Sequence, residues 1–291
     1  MKKLLLVLWV FLLVTSCRTG GESMDKPVIS VSILPQQYFV EQLAGDLVEV
    51  NVMIPPGASP ATYEPGVSQL GKLDRSEVYL RIGYVGFEQS WMEKITSVNP
   101  DMKIVDLSKG VEFILNDAGE EEKHNGHSHQ GPDPHIWMSV SNARIIARNI
   151  HNELMLMFPG EKEYLQSRFD LFSRSLDSLQ LDITSKLEGI ENRKFMIYHP
   201  ALTYYARDYA LEQFSLEIEG KTPSPAHLKE MTDLAIHYQI SKILIQKQFD
   251  RKNAEVLARE TGCKIIQFDP LDLQWDEQMR YIALQLKSSN Q

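Results

Sequence analysis

Three short segments carry residue types that bind transition metals. Asp133-Pro134-His135-Ile136-Trp137, Tyr198-His199-Pro200 and Phe268-Asp269-Pro270-Leu271 each set an imidazole or a carboxylate next to proline. Proline fixes its own φ and drives the residue before it toward extended backbone, which narrows the orientations open to His199 and Asp269. Two imidazoles and a carboxylate make a credible ligand set for zinc or a neighbouring transition ion. Calcium and magnesium would call for oxygen donors and leave the histidines unexplained. A histidine or aspartate at a strand end is also an ordinary loop residue, so spacing alone leaves the metal reading open.

A second cluster lies at residues 119–131. Glu120, Glu121 and Glu122 run together, and His124, His127 and His129 follow within six residues. Such a tract cannot pack a core, but it can collect borderline cations; the alternative is a solvated acidic loop. The remaining histidines read as structural. His151 and His237 fall on helices, and His227 falls in a first helical turn behind Ser224-Pro225, a cap followed by proline. Cys263 precedes an apolar run and reads as a small buried hydrophobe.

These residues need a scaffold, and the chain predicts one. Strand candidates are Val28–Leu34, Val48–Ile54, Val78–Ile82 and Ile104–Leu107, then Phe195–Tyr198, Phe214–Ile218, Ile243–Ile245 and Ile265–Phe268. Most are near-continuous apolar runs, as parallel strands covered on both faces require. With helical stretches between them, four and four predict two similar α/β lobes, each a four-stranded, mainly parallel sheet with flanking helices. Between the sets, Leu165, Phe169, Phe172, Leu176, Leu179, Ile183 and Leu187 recur at steps of three and four. That is one apolar stripe on a single long connecting helix of roughly 40 Å. His199 and Asp269 then stand just past strand ends, and His135 follows the fourth strand of the first lobe. Open α/β sheets bind ligands beyond the carboxyl ends of their strands.

The first residues read as an export signal. Lys2 and Lys3 precede an apolar run from Leu4 to Val14, then Thr15, Ser16 and Cys17. Basic, apolar, then small is the order of a secretory leader. Val14-Thr15-Ser16-Cys17 resembles a bacterial lipobox, with Cys17 as the lipidated residue. The expected organisation is a signal peptide at 1–16, a lipidated tether at 17–26, a first lobe at 27–158, the connecting helix at 159–190 and a second lobe at 191–291. The chain has 39 acidic and 30 basic residues and a formal charge of −9, which argues against nucleic acid as the main partner. Besides Cys17 only Cys263 remains, so no internal disulfide is expected.

Taken in order, five motifs resemble one family: Pro56-Gly57-Ala58-Ser59-Pro60, Tyr63-Glu64-Pro65, Asp133-Pro134-His135-Ile136-Trp137, Tyr198-His199-Pro200-Ala201 and Glu219-Gly220-Lys221-Thr222-Pro223-Ser224. The chain is similar to the metal-binding receptors of bacterial zinc and manganese ABC importers. The resemblance implies an extracytoplasmic, membrane-anchored, monomeric receptor that serves a separate permease and ATPase. It implies a metal held between the lobes by His135, His199 and Asp269. His199 and the histidine-rich loop point to Zn2+, with Mn2+ or Fe2+ as alternatives.

One residue departs from the family. Its first ligand is a histidine directly after Ser-Pro, where this chain has Ala61. A loop histidine (His124, His127 or His129), Glu64, water, or a change of metal are the readings that remain. Two other classes stay in view. A surface adhesion lipoprotein would use the same fold, whereas a zinc hydrolase would want a general base beside the ligands. No His-Glu-x-x-His segment is present and no general base is evident beside the ligands, so an enzyme is not expected; no Gly-x-x-x-x-Gly-Lys-Ser/Thr phosphate loop is present either, which implies a separate ATPase.

Overall fold

The computed structural model describes residues 26–115, 131–218 and 220–288. Two sheets organise the chain. The first contains β1 (Val28–Val31), β2 (Glu49–Val52), β3 (Ser76–Arg81) and β4 (Lys103–Asp106), in the order β2-β1-β3-β4. The second contains β5 (Lys194–Ile197), β6 (Glu212–Ser215), β7 (Lys242–Gln246) and β8 (Lys264–Phe268), in the equivalent order β6-β5-β7-β8. Every strand pair is parallel. In both sheets the strand order reverses beside the first strand, between β1 and β3 and between β5 and β7. That crevice is where open α/β sheets receive ligands.

The helices follow from amphipathic stripes. In the first lobe they are α1 (Leu34–Ala44), α2 (Val67–Asp74), α3 (Gly86–Val98) and α4 (Val140–Met157). The long helix is α5 (Lys162–Leu187), and the second lobe carries α6 (Thr203–Asp208), α7 (Pro225–His237), α8 (Lys252–Thr261) and α9 (Trp275–Lys287). The stripe of α5 is buried at Leu165, Phe172, Leu176, Leu179, Ile183 and Leu187. It packs on α1 and α4 of the first lobe and on α9 of the second, so the helix spans both lobes as its periodicity predicts. Ser224 caps α7 by accepting from the His227 amide at 3.2 Å, with Pro225 in the first position.

The second sheet divides its side chains by strand periodicity. Phe195 and Ile197 face the large core shared with α5, α9 and the first lobe, while Met196 and Tyr198 face a smaller core under α7 and α8. The large core runs unbroken from lobe to lobe. Aromatic packing marks the junction, where Trp275 of α9 meets Phe39 at 4.9 Å and Tyr38 at 6.0 Å between ring centroids.

Several strand ends differ from expectation. Val48–Ile54 shortens to Glu49–Val52, yet the Met53 and Ile54 amides still donate to Val31 and Ser32. Backbone bonding outlasts the regular pleat there. Phe214–Ile218 shifts to Glu212–Ser215, because β6 is an edge strand paired only with β5 and tolerates Glu212 and Gln213 at its start. His135 does not stand directly at a strand end. The chain leaves β4 at Asp106, and His135 caps a short 3-10 turn, Ile136–Met138, ahead of α4.

Candidate metal centre

His135 is positioned from both sides of its turn. Asp133 is buried, its amide donates to the Ile114 carbonyl at 2.8 Å, and its own carbonyl accepts from the Tyr204 hydroxyl at 2.8 Å. The Asp133 carboxylate then accepts twice from His135, at 2.8 Å from the backbone amide and 2.9 Å from Nδ1. Burial alone would raise the Asp133 carboxyl, but the charge His135 can carry and the hydrogen bonds outweigh it, holding the group below the usual carboxylate range.

His199 is held by the equivalent device in the second lobe. It lies just past β5, at the reversal point of the second sheet. Gln246, at the end of β7, grips its backbone with both amide atoms: Oε1 accepts from the His199 amide at 3.3 Å and Nε2 donates to its carbonyl at 2.7 Å. Glu217, buried just past β6, accepts from His199 Nδ1 at 3.0 Å. Phe249, in the loop after β7, stacks on the imidazole with centroids 5.3 Å apart and planes at 22°.

Carboxylates accept only, so each Nδ1 facing one carries the proton and each Nε2 presents a lone pair. Those two Nε2 atoms face each other at 3.2 Å across the lobe boundary. Two lone pairs at that distance require a cation or a shared proton between them. A tetrahedral zinc with bonds of about 2.0–2.1 Å separates two nitrogens by about 3.3 Å, so the imidazoles already stand near bridging geometry.

Asp269 is nine-tenths buried just past β8. Its Oδ1 accepts from the Leu271 amide at 2.9 Å and from Gln248 Nε2 at 3.2 Å, and its Oδ2 lies 3.7 Å from Lys247 Nζ. Among the described residues no three His, Cys, Asp or Glu side chains are gathered tightly enough to hold one ion. The structure therefore brings His135 and His199 together and directs Asp269 toward Lys247. Glu64 and Ala61 are exposed on the β2–α2 loop. Ala61 approaches the start of α3 closely: a Cβ on Gly86 would meet the Ala61 Cα at 3.4 Å. Cys17, His124, His127 and His129 lie outside the described residues.

Sequence reasoning missed Glu217, Gln246, Lys247, Gln248 and Phe249. Glu217 carried a usable signal, an acidic residue just past the carboxyl end of the edge strand β6, directly after the buried Leu216. The loop residues after β7 carried none. Their partners are set by how β7 lies between β5 and β8.

The remaining histidines have other surroundings. His151 stacks on Phe169 at 4.5 Å, and burial lowers its pKa. His227 Nε2 sits 3.2 Å from the Ser215 carbonyl. Cys263 is buried as expected.

The family model for ZnuA, described as zinc-uptake complex component A, periplasmic, matches residues 29–291. The zinc-binding lipoprotein AdcA of Streptococcus pneumoniae (strain ATCC BAA-255 / R6) is 26% identical over 303 residues, covering 99% of this chain and 60% of AdcA. The chain thus spans about 60% of the length of that curated relative. A crystal structure of ZnuA superposes with a TM-score of 0.84 at 34% identity, covering 92% of this chain and 100% of that one. A ZnuA deletion mutant with zinc bound superposes with a TM-score of 0.83 at 34% identity, covering 91% of this chain and 98% of that one.

Proposed function

The chain belongs to the ZnuA family of periplasmic zinc-uptake components, and from that premise we propose that it captures a divalent transition metal, zinc foremost, and delivers it to an ABC permease powered by a separate ATPase. The observation that carries this reading is the facing pair of Nε2 lone pairs at 3.2 Å, each locked by a carboxylate behind it. Imidazole nitrogens at that spacing favour Zn2+, with Mn2+ or Fe2+ as weaker competitors. Asp269 supplies the third ligand after a local shift of its side chain. Ala61 leaves the family's first position without a donor, and a histidine from the 119–131 segment or a water completes the shell.

The ion is cargo, and the protein is a receptor rather than an enzyme. No helix among the described residues is long and apolar enough to cross a membrane, so transport requires the permease. Lipidation at Cys17 would hold the receptor on the extracytoplasmic side, and a monomer suffices, because both lobes of one chain supply the ligands.

Zinc titration of the apo protein by competition with a chromogenic chelator tests the reading. One high-affinity ion per chain is expected, and His135→Ala and His199→Ala should each abolish it. Retention of that site in both variants would overturn the proposal.

A further inference from the structure

We propose that Lys247 is a resident counter-cation for Asp269: its ammonium holds the carboxylate while no ion is bound, and an incoming divalent metal displaces it. This rests on the reading of Asp269 as a ligand and adds a residue that reading does not use.

The two oxygens of Asp269 have different partners. Oδ1 is committed to the Leu271 amide at 2.9 Å and Gln248 Nε2 at 3.2 Å. Oδ2 faces Lys247 Nζ at 3.7 Å, and the same ammonium lies 4.0 Å from Asp272 Oδ2. Thus the oxygen free to coordinate a metal is the one beside the lysine. The two partners also differ in freedom. The Asp269 side chain is 12% exposed and held by neutral donors, whereas the Lys247 side chain is 52% exposed. The lysine can swing into water, whereas the carboxylate, anchored through Oδ1, has only a local shift open to it.

Charge makes the exchange necessary. A divalent ion coordinated by Asp269 Oδ2 takes the lone pairs that face Lys247 Nζ, and at that range it repels the ammonium directly, so the two cations cannot share the one oxygen. Displacement is local. Lys247 sits between Gln246, which grips the His199 backbone, and Gln248, which holds Asp269, and Phe249 covers the His199 ring. Lysine departure therefore leaves those anchors in place.

Competition titration of zinc into the full receptor tests this with Lys247→Met, Lys247→Arg, Asp269→Asn and the Lys247→Met/Asp269→Asn double variant. Lys247→Met should bind zinc about two- to fivefold more tightly, the scale of a partly exposed ion pair. Lys247→Arg should match the parent, and the gain from methionine should vanish in the Asp269→Asn background. Equal tightening in both backgrounds would overturn the proposal, because it would assign the effect to diffuse charge rather than to contact with Asp269. Unchanged or weaker binding by Lys247→Met would overturn it too. Asp269→Asn alone separates the two ideas: if it leaves zinc affinity untouched, the ligand role of Asp269 fails, whatever Lys247 does.

Discussion

Trp275 donates its indole N–H to the carbonyl of Trp137 at 2.8 Å, while Trp137 donates its own to the carbonyl of Pro270 at 2.8 Å. Both indoles are buried, and each bond crosses between lobes. Together they tie the segment carrying His135 to the segment carrying Asp269. The Ser139–Asp208 bond at 2.5 Å and the Tyr204 hydroxyl add further ties beside them. With one core running through both lobes, wide hinge opening would break buried contacts. If an ion sits between the imidazoles as proposed, its release falls to the loops around the site, biased by whatever binds the open form better.

Trp275→Phe should therefore cost more than its buried area suggests. It removes one buried hydrogen bond and orphans the Trp137 carbonyl, a loss of about 1–3 kcal/mol. Urea denaturation of the apo protein measures it, and zinc dissociation should quicken in stopped-flow chelator chase. Unchanged stability and unchanged release would show that the indole bond does not hold the lobes.

The carboxylates behind the imidazoles should control affinity without touching the ion. Asp133→Asn and Glu217→Gln keep side-chain size but weaken the charge that fixes each Nδ1 proton. Each should weaken zinc binding about 10- to 100-fold. Competition titration reads this directly, and parent-like affinity in both would remove the carboxylates from the account.

Ala61→His supplies the donor that the family resemblance implies at this position. Ala61 is exposed, so a larger side chain can be accommodated in the loop. Zinc affinity should rise measurably in the same titration. An unchanged dissociation constant would mean that another group already completes the shell.

Glu88 predicts a pH dependence of stability that does not involve the imidazole pair. It is buried at the reversal point of the first sheet, where it accepts from the Ile82 amide at 2.7 Å, the Gly83 amide at 2.8 Å and the Ser32 hydroxyl. Burial pushes its carboxyl up to about 7, against the pull of those donors and of Arg81. A carboxyl raised in the folded state favours folding below its unfolded pKa, and that contribution is lost as pH rises to about 7. Apo stability should fall on this account between about pH 4.5 and 7, by on the order of 3 kcal/mol. Glu88→Gln should flatten that interval in denaturation measured across pH. Asp133 has the opposite sign, since its lowered carboxyl stabilises at neutral pH and loses that contribution in acid.

Much of this architecture was legible in the sequence. Near-continuous apolar runs such as Val28–Val31, interrupted only by Ser30, announced strands covered on both faces, and the three-four stripe from Leu165 to Leu187 announced one long helix. His199 was legible as a residue just past a strand. His135 was found by its motif, although it caps a turn far from β4. Less legible were the groups that act through packing. Nothing local marks Gln246 as the clamp on the His199 backbone, since that bond exists only because β7 lies beside β5. The orientation of Asp269 toward Lys247 depends likewise on β7 pairing with β8.

The decisive measurement is a crystal structure of the zinc-loaded receptor, with the ion located by anomalous scattering. One zinc should lie about 2.0–2.1 Å from His135 Nε2 and from His199 Nε2, with an Asp269 oxygen at about 2.0–2.2 Å. An ion bound elsewhere, with the two imidazoles still facing each other unligated, would contradict the proposed site.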